Sequence, residues 1–243
     1  MTYCIGLRLD RGLVFMSDTR TNAGVDNISV FRKMMTWETA GDRVITVLSA
    51  GNLATTQAVI SLLEERAKAP ADRQPTILQA ASMFQVAQLV GRTLREVIRA
   101  NAEGGQEAES TFSATMIVGG QIAGGGARLF LVYPEGNFIE ASDDTPFFQI
   151  GEAKYGRPIL VRAYAPDMSF EDAVKLLLVS FDSTIKANLS VDLPLDLQIY
   201  ETDSLRVGHT RRICADDPYY QKISLGWGEA LRSAFNSLPN FQF

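Results

Sequence analysis

The sequence has little of what many nucleophile and metal sites are built from. Its 243 residues include one histidine, His209, and two cysteines. A Ser-His-Asp or Cys-His arrangement would have to use that histidine, and a zinc site would need Cys or carboxylates for its other ligands. Such mechanisms are disfavoured. The segment around His209, residues 206–212, is typical of a strand edge or turn, which favours a structural histidine.

The sequence also predicts no disulfide framework, no signal peptide and no membrane span. Cys4 lies in an apolar strand-like run and Cys214 at the end of a predicted element, so we expect both thiols to be reduced. Arg8, Asp10 and Arg11 interrupt the first apolar run, and no run reaches the roughly 18 apolar residues of a membrane span. We therefore expect a soluble cytoplasmic protein.

The chain has no basic excess and no linker. Its formal net charge is −5, and its Lys and Arg residues are scattered among acids. Nucleic-acid and membrane partners are therefore not expected. No Pro/Ser-rich segment or change of composition divides the sequence, so we expect a single domain over residues 1–243.

The apolar pattern alternates between blocks of strands and blocks of helices. A hairpin is predicted over 2–9 and 12–19, and a second strand pair over 33–38 and 43–50. The remaining predictions are helices at 52–68 and 76–102, strands at 113–120, 127–133 and 137–150, helices at 154–165 and 169–188, strands at 195–201 and 205–213, and a helix at 217–237. Two sheets packed together, each covered by helices, satisfy this order. We expect the α+β class and a four-layer αββα sandwich.

A candidate nucleophile stands at the second position. If Met1 is removed, Thr2 gains a free α-amine that can take the proton from its own hydroxyl. An α-amine has a reference pKa of about 7.7–8.0, and an ammonium such as that of Lys33 would favour its unprotonated form. The predicted hairpin places Asp18 at the same end as Thr2, where Asp18 could hold Lys33. Each of these residues alone would also suit an ordinary structural role.

The sequence around these residues resembles a known family. The stretches TYCIGLRLD (2–10), GLVFMSDTR (12–20), FRKM (31–34) and VITVLSAG (44–51) look like the N-terminal half of a proteasome β-type subunit, a threonine-dependent N-terminal nucleophile hydrolase. The stretches SDTRTNAGVD (17–26) and SAGNLATTQ (49–57) resemble the bacterial proteasome-related family called Anbu, the ancestral β-subunit group. The resemblance implies the N-terminal nucleophile hydrolase fold, with Thr2 as the nucleophile, Asp18 and Lys33 as its charged partners, and the Gly51 backbone N–H as the oxyanion donor.

The second half departs from the proteasome pattern. Glu152 stands where a serine usually contacts the nucleophile's amine, and Ala187 replaces an aspartate, while Ser190 matches. A carboxylate near the α-amine would stabilise the protonated amine and oppose Lys33.

By this resemblance the chain is a proteasome-type threonine peptidase acting on peptides or unfolded proteins within a homo-oligomer, either a ring or an open helical assembly. Ser49 and Leu53 would border the pocket for the residue before the cut. No metal or organic cofactor is implied, and the sequence does not indicate whether an ATPase unfoldase is a partner. Two alternatives stay open: a catalytically weak or inactive scaffold or binding protein of the same fold, and a small-molecule amidase.

Overall fold

The computed structural model describes residues 2–22, 28–68, 76–102 and 111–243. The strands in these ranges are β1 (Tyr3–Leu9), β2 (Gly12–Asp18), β3 (Arg20–Asn22), β4 (Ile28–Val30), β5 (Met34–Thr39), β6 (Arg43–Gly51), β7 (Ala114–Ile122), β8 (Arg128–Val132), β9 (Phe138–Glu140), β10 (Phe147–Gly151), β11 (Leu195–Glu201) and β12 (Thr210–Ile213). The helices are α1 (Leu53–Lys68), α2 (Met83–Asn101), α3 (Arg157–Ala163), α4 (Phe170–Ala187) and α5 (Pro218–Asn236).

Two five-stranded antiparallel sheets form the centre of the fold. The first has the strand order β10-β1-β2-β11-β12, and the second has the order β5-β6-β7-β8-β9. The β1–β2 hairpin pairs Cys4 with Ser17 and Leu9 with Gly12. Thr2 and Asp18 therefore lie at the same end of the hairpin, as the sequence predicts.

Three apolar clusters define four layers. One fills the space between the sheets and includes Phe15, Leu48 and Tyr200. A second packs α1 and α2 onto the second sheet, and a third packs α3, α4 and α5 onto the first sheet. The predicted αββα sandwich is confirmed.

The run predicted as one strand over 137–150 is two strands. It divides into β9 and β10, which belong to different sheets. Ser142 and Thr145 exchange backbone hydrogen bonds of 3.1 and 3.2 Å in the turn between them. The prediction was wrong because it passed over the polar stretch SDDTP (142–146), a turn signal at which the chain crosses from one sheet to the other.

Two further bounds differ from the predictions, and one short ladder is additional to them. The second helix begins at Met83 rather than 76, because the Ser82 hydroxyl caps it by accepting the Gln85 N–H. The strand predicted from 205 begins at Thr210, since Asp203 and Leu205 adopt positive φ angles of 66° and 45°. The short β3–β4 ladder was not predicted.

No helix within the described ranges has the length and apolar character needed to cross a bilayer.

Candidate active site

A buried ion pair lies where the two sheets meet. Asp18 ends β2 of the first sheet, and Lys33 directly precedes β5 of the second. The Lys33 Nζ lies 2.8 and 2.9 Å from the two carboxylate oxygens of Asp18 and 2.6 Å from the Arg20 carbonyl oxygen. The side chains of Lys33 and Asp18 are 5% and 0% exposed. Three acceptors thus fix both the position and the direction of the ammonium.

Burial governs the protonation of Asp18. Desolvation raises the pKa of its carboxyl from 3.8 to about 6, although the Lys33 ammonium and the Tyr3 N–H act in the opposite direction. The carboxylate is therefore charged at neutral pH and takes up a proton in mildly acidic solution.

Two hydrogen bonds from backbone N–H groups, one to a carboxylate and one to the Thr2 carbonyl, hold Thr2 beside this pair. The peptide N–H that follows Thr2, which belongs to Tyr3, donates to Asp18 Oδ1 at 2.9 Å. The Thr2 carbonyl oxygen accepts the Glu152 N–H at 2.7 Å. Gly151 permits this approach, because its φ is +80° and a Cβ at that position would overlap the Thr2 carbonyl. The start of the chain is thus held by both neighbouring strands.

The side chain of Tyr3 anchors the same segment from the opposite face of the sheet. Its hydroxyl lies 2.7 Å from Ser180 Oγ and accepts the Gln149 Nε2–H at 2.5 Å. Its ring packs against Phe181 with centroids 4.5 Å apart. Because side chains alternate along a strand, Tyr3 points to the helix layer while Thr2 shares the inter-sheet face with Cys4.

A cleft of about 830 Å³ opens at this point. It is lined by Thr2, Lys33, Ser49, Gly51 and Glu152 on the side of the ion pair. The rest of its wall combines apolar side chains with small polar ones, namely Thr21, Phe31, Met35, Leu53, Thr56, Gln57, Ile60 and Ser61, and the exposed Arg32 lies at its edge. Ser49 and Leu53, expected to border a substrate pocket, both line this cleft.

The Gly51 N–H points toward the cleft. The Ser49 N–H donates to the Lys33 carbonyl oxygen at 3.0 Å, while the Asn52 N–H donates to Ser113 on the other side. Because N–H directions alternate along a strand, the Gly51 N–H lies on the side of Lys33, beyond the start of β5. Gly51 has a φ of +121°, and a Cβ there would lie 2.5 Å from the Ser113 carbonyl oxygen. The structure thus brings Thr2, Lys33 and Gly51 to one cleft, with Asp18 buried beneath it.

Glu152 also lies in this cleft, with a partner that the sequence did not indicate. Its Oε2 accepts the Asn188 Nδ2–H at 2.8 Å, and its Oε1 lies 3.5 Å from Lys154 Nζ. Asn188 in turn accepts the Ser190 N–H at 2.9 Å. The resemblance to the proteasome pattern points to Ser190 and Ala187, whereas the residue that contacts Glu152 is Asn188, directly after α4. A polar residue at a helix end is too common to have signalled this role.

The other candidate groups lie elsewhere. His209 lines a separate groove with Arg211 and Asp217. Cys4 is buried and donates its thiol hydrogen to the Ser49 carbonyl oxygen at 3.7 Å, while Cys214 is exposed, and both thiols are free. Within the four described ranges, no three His, Cys, Asp or Glu side chains converge as the ligands of a metal ion would.

Known proteins share this architecture. The family model described as Proteasome subunit matches residues 2–192. Anbu (ancestral beta-subunit) from Yersinia bercovieri is 48% identical, with a TM-score of 0.92 over 99% of this chain and 100% of that one. Anbu from Hyphomicrobium sp. strain MC1 is 50% identical, with a TM-score of 0.92 over 99% of this chain and 100% of that one. The helical assembly of the Anbu complex from Pseudomonas aeruginosa is 44% identical, with a TM-score of 0.91 over 99% of this chain and 98% of that one.

Proposed function

This chain belongs to the proteasome subunit family and, within it, to the Anbu (ancestral β-subunit) group, and on that premise we propose that it is a threonine peptidase whose nucleophile is Thr2, exposed by removal of Met1. Its substrates are peptides or unfolded protein segments. The observation that carries the proposal is the position of Asp18, whose Oδ1 accepts hydrogen bonds from both the Tyr3 N–H and the Lys33 ammonium. One carboxylate therefore fixes the residue after the nucleophile and the cation beside it.

The proposed reaction has two halves. In the first, Thr2 Oγ1 attacks the substrate carbonyl carbon while the Thr2 α-amine takes the hydroxyl proton. The Gly51 N–H donates to the oxygen that becomes negative, and the Lys33 ammonium stabilises the same developing charge. The α-ammonium then returns its proton to the leaving amine as the carbon–nitrogen bond breaks, which leaves an ester on Thr2.

In the second half, water attacks the ester carbonyl, and the α-amine takes a proton from the water. The tetrahedral oxyanion again lies at Gly51. Collapse of this intermediate releases the carboxylic acid, and the proton returns to Thr2 Oγ1. Both halves thus use the same base and the same oxyanion donor.

The cleft wall favours a neutral side chain before the cut. Phe31, Met35, Leu53 and Ile60 supply apolar surface, and Thr56 adds a buried hydroxyl. We therefore expect peptides with Leu, Met or Phe at this position to react faster than peptides with Asp or Lys, because a charge placed against this apolar wall would lose hydration.

A peptide vinyl sulfone with leucine at its reactive end tests the proposal. Processed protein that begins at Thr2 should form a covalent adduct at Thr2, and Thr2→Ala should form none. Thr2→Ser, which keeps both hydroxyl and amine, should retain labelling. Labelling of Thr2→Ala at the wild-type rate would place the nucleophile elsewhere and end the proposal.

We propose that the working form is a homo-oligomer, either a ring or an open helical assembly. The C-terminal helix and tail expose apolar side chains, notably Leu225, Phe235 and Phe241 at 72%, 74% and 80%. Exposed apolar surface of this extent is typical of protein interfaces. The relative from Pseudomonas aeruginosa is described as a helical assembly, which supports the same state here. Sedimentation of wild type and Phe235→Ser tests this, with a stable wild-type monomer as the contrary result.

The proposal also includes a single domain over 1–243 and a cytoplasmic location. The family model ends at residue 192, but β11 pairs with β2 over seven residue pairs, from Leu195↔Asp18 to Glu201↔Gly12, and this pairing supports one folding unit. Fractionation of cells by compartment tests the location.

A scaffold without catalysis is the second candidate. It is favoured by Glu152, a carboxylate in the nucleophile's own cleft. Complementation of a deletion strain separates the two: full rescue by Thr2→Ala favours the scaffold, and loss of rescue favours the peptidase.

A further inference from the structure

Glu152 is the cross-strand neighbour of Thr2. In the β1–β10 ladder Tyr3 pairs with Gly151, so Thr2 and Glu152 occupy the next pair of positions. The Glu152 N–H donates to the Thr2 carbonyl oxygen at 2.7 Å, which shows that the two backbones stay in contact beyond the last residue of β10. Both residues line the same cleft.

The carboxylate of Glu152 is held but not neutralised. Its side chain is 10% exposed, and its closest partner is the neutral Asn188 amide. Its cationic partner Lys154 lies at 3.5 Å and is itself 69% exposed, so water screens that charge. A nearly buried carboxylate therefore keeps most of its negative field within the cleft.

The other charges near the nucleophile largely cancel. The Lys33 ammonium is matched by the Asp18 carboxylate at hydrogen-bond distance, so the pair has no net charge. Arg32 lies at the cleft edge and is exposed to solvent. Among the described residues whose charged groups line the cleft or underlie it, Glu152 is thus the one with an uncompensated local field.

We propose that the Glu152 carboxylate accepts a hydrogen bond from the α-ammonium of processed Thr2 and so acts as a positioning residue that keeps this amine protonated at neutral pH. The inference rests on the proposed function, because it requires that Met1 be removed. An amine held in this way has a fixed orientation. It is unprotonated, and so able to act as a base, in only a small fraction of molecules. Reactivity of Thr2 should therefore rise as the pH is raised above neutrality.

Trace acetylation measures the amine directly. Processed wild type, confirmed by intact mass to begin at Thr2, is treated with a small amount of acetic anhydride between pH 5 and 10, and mass spectrometry quantifies acetylation of the N-terminal peptide. An opposite charge within a few ångströms shifts a titration by about one unit or more. Glu152→Gln, which keeps the shape and the backbone N–H, should lower the midpoint by about one pH unit, a tenfold loss of proton affinity.

Three further variants separate charge from structure. Glu140→Gln removes a carboxylate on the distant edge strand β9 and should leave the midpoint unchanged. Asn188→Ala removes the neutral partner and should not lower the midpoint, whereas a purely structural role for Glu152 predicts that Asn188→Ala and Glu152→Gln act alike. Glu152→Asp keeps the negative charge but carries it on a shorter side chain. Its acetylation midpoint should lie between those of Glu152→Gln and wild type.

The acetylation midpoint does not depend on whether the protein hydrolyses peptides. Equal midpoints in wild type, Glu152→Gln and Glu152→Asp would overturn the inference, even in an active peptidase. A lowered midpoint in a protein that hydrolyses no peptide would uphold the inference while the proposed function fails.

Discussion

Lys33 and Asp18 join the two sheets through one buried salt bridge of 2.8 Å. The carboxylate comes from the end of β2 and the ammonium from the residue before β5. Because the same carboxylate also accepts the Tyr3 N–H, any change in this pair reaches the residue next to Thr2. The relationship makes fold stability and the chemistry of Thr2 dependent on one contact.

Replacing Lys33 by Met should reduce both reactivity and stability. We expect labelling of Thr2 by the vinyl sulfone to slow about 10²- to 10⁴-fold, since the cation beside the nucleophile is lost. Asp18 would be left buried without its cation, which typically costs about 3–5 kcal/mol in the free energy of unfolding unless it takes up a proton. Labelling reactions quenched at a series of times measure the rate, and urea denaturation measures the free energy of unfolding. Lys175→Met, at an exposed lysine on α4, is the matched control and should change neither.

The reactivity of Thr2 should fall more steeply below about pH 6 than the titration of its α-amine alone requires. Burial raises the pKa of Asp18 to about 6, so below that pH the carboxyl is neutral and no longer fixes the Lys33 ammonium. Above it the pair is intact. The labelling rate from pH 5 to 8 measures this steeper fall. Asp18→Asn should keep the pH dependence set by the α-amine and lose the additional fall near pH 6, while Glu152→Gln should retain that additional fall. Its persistence in Asp18→Asn would contradict the assignment.

Gly151→Ala should disrupt the site, whereas Gly124→Ala should not. Both glycines have a φ of +80°, so alanine meets the same backbone strain at each. At Gly151 a Cβ would overlap the Thr2 carbonyl oxygen, and at Gly124 no atom lies within 4 Å. We expect Gly151→Ala to lose labelling of Thr2 and to melt at a lower temperature than Gly124→Ala. Equal behaviour of the two variants would show that the clamp on Thr2 is unimportant.

Tyr3→Phe should destabilise the protein by about 1–3 kcal/mol, because it removes the hydroxyl that Gln149 and Ser180 contact within the core. Tyr219→Phe, at a tyrosine that is 43% exposed, serves as the control and should lie within about 0.5 kcal/mol of wild type. Urea denaturation measures both. A stability of Tyr3→Phe equal to that of Tyr219→Phe would count against the anchoring role of this hydroxyl.

Much of the fold follows from short-range sequence signals. The turn signature at residues 10–12, between two apolar runs, predicts the β1–β2 hairpin and with it the common end at which Thr2 and Asp18 lie. The helix predicted over 52–68 and the strand predicted over 43–50 match α1 and β6 to within one residue at each end. The signals that define these elements lie in residues close together in the chain, so the local sequence is enough to predict them.

Contacts between segments that are distant in the chain could not be predicted from short-range sequence signals. The halves of 137–150 join different sheets, and the local sequence does not specify which strands each half pairs with. The hydrogen bond from Asn188 to Glu152 joins a helix end to a strand end 36 residues away, and neither residue type signals the other. The grouping of Thr2, Lys33 and Gly51 was expected from family resemblance, since their spacing alone permits several arrangements.

Intact-protein mass spectrometry, before and after reaction with the vinyl sulfone, tests the central claim most directly. The account predicts a chain that lacks the mass of one methionine and gains one adduct, located on Thr2 by fragmentation and missing in Thr2→Ala. A functional protein that retains Met1, or an adduct on any other residue, would contradict it.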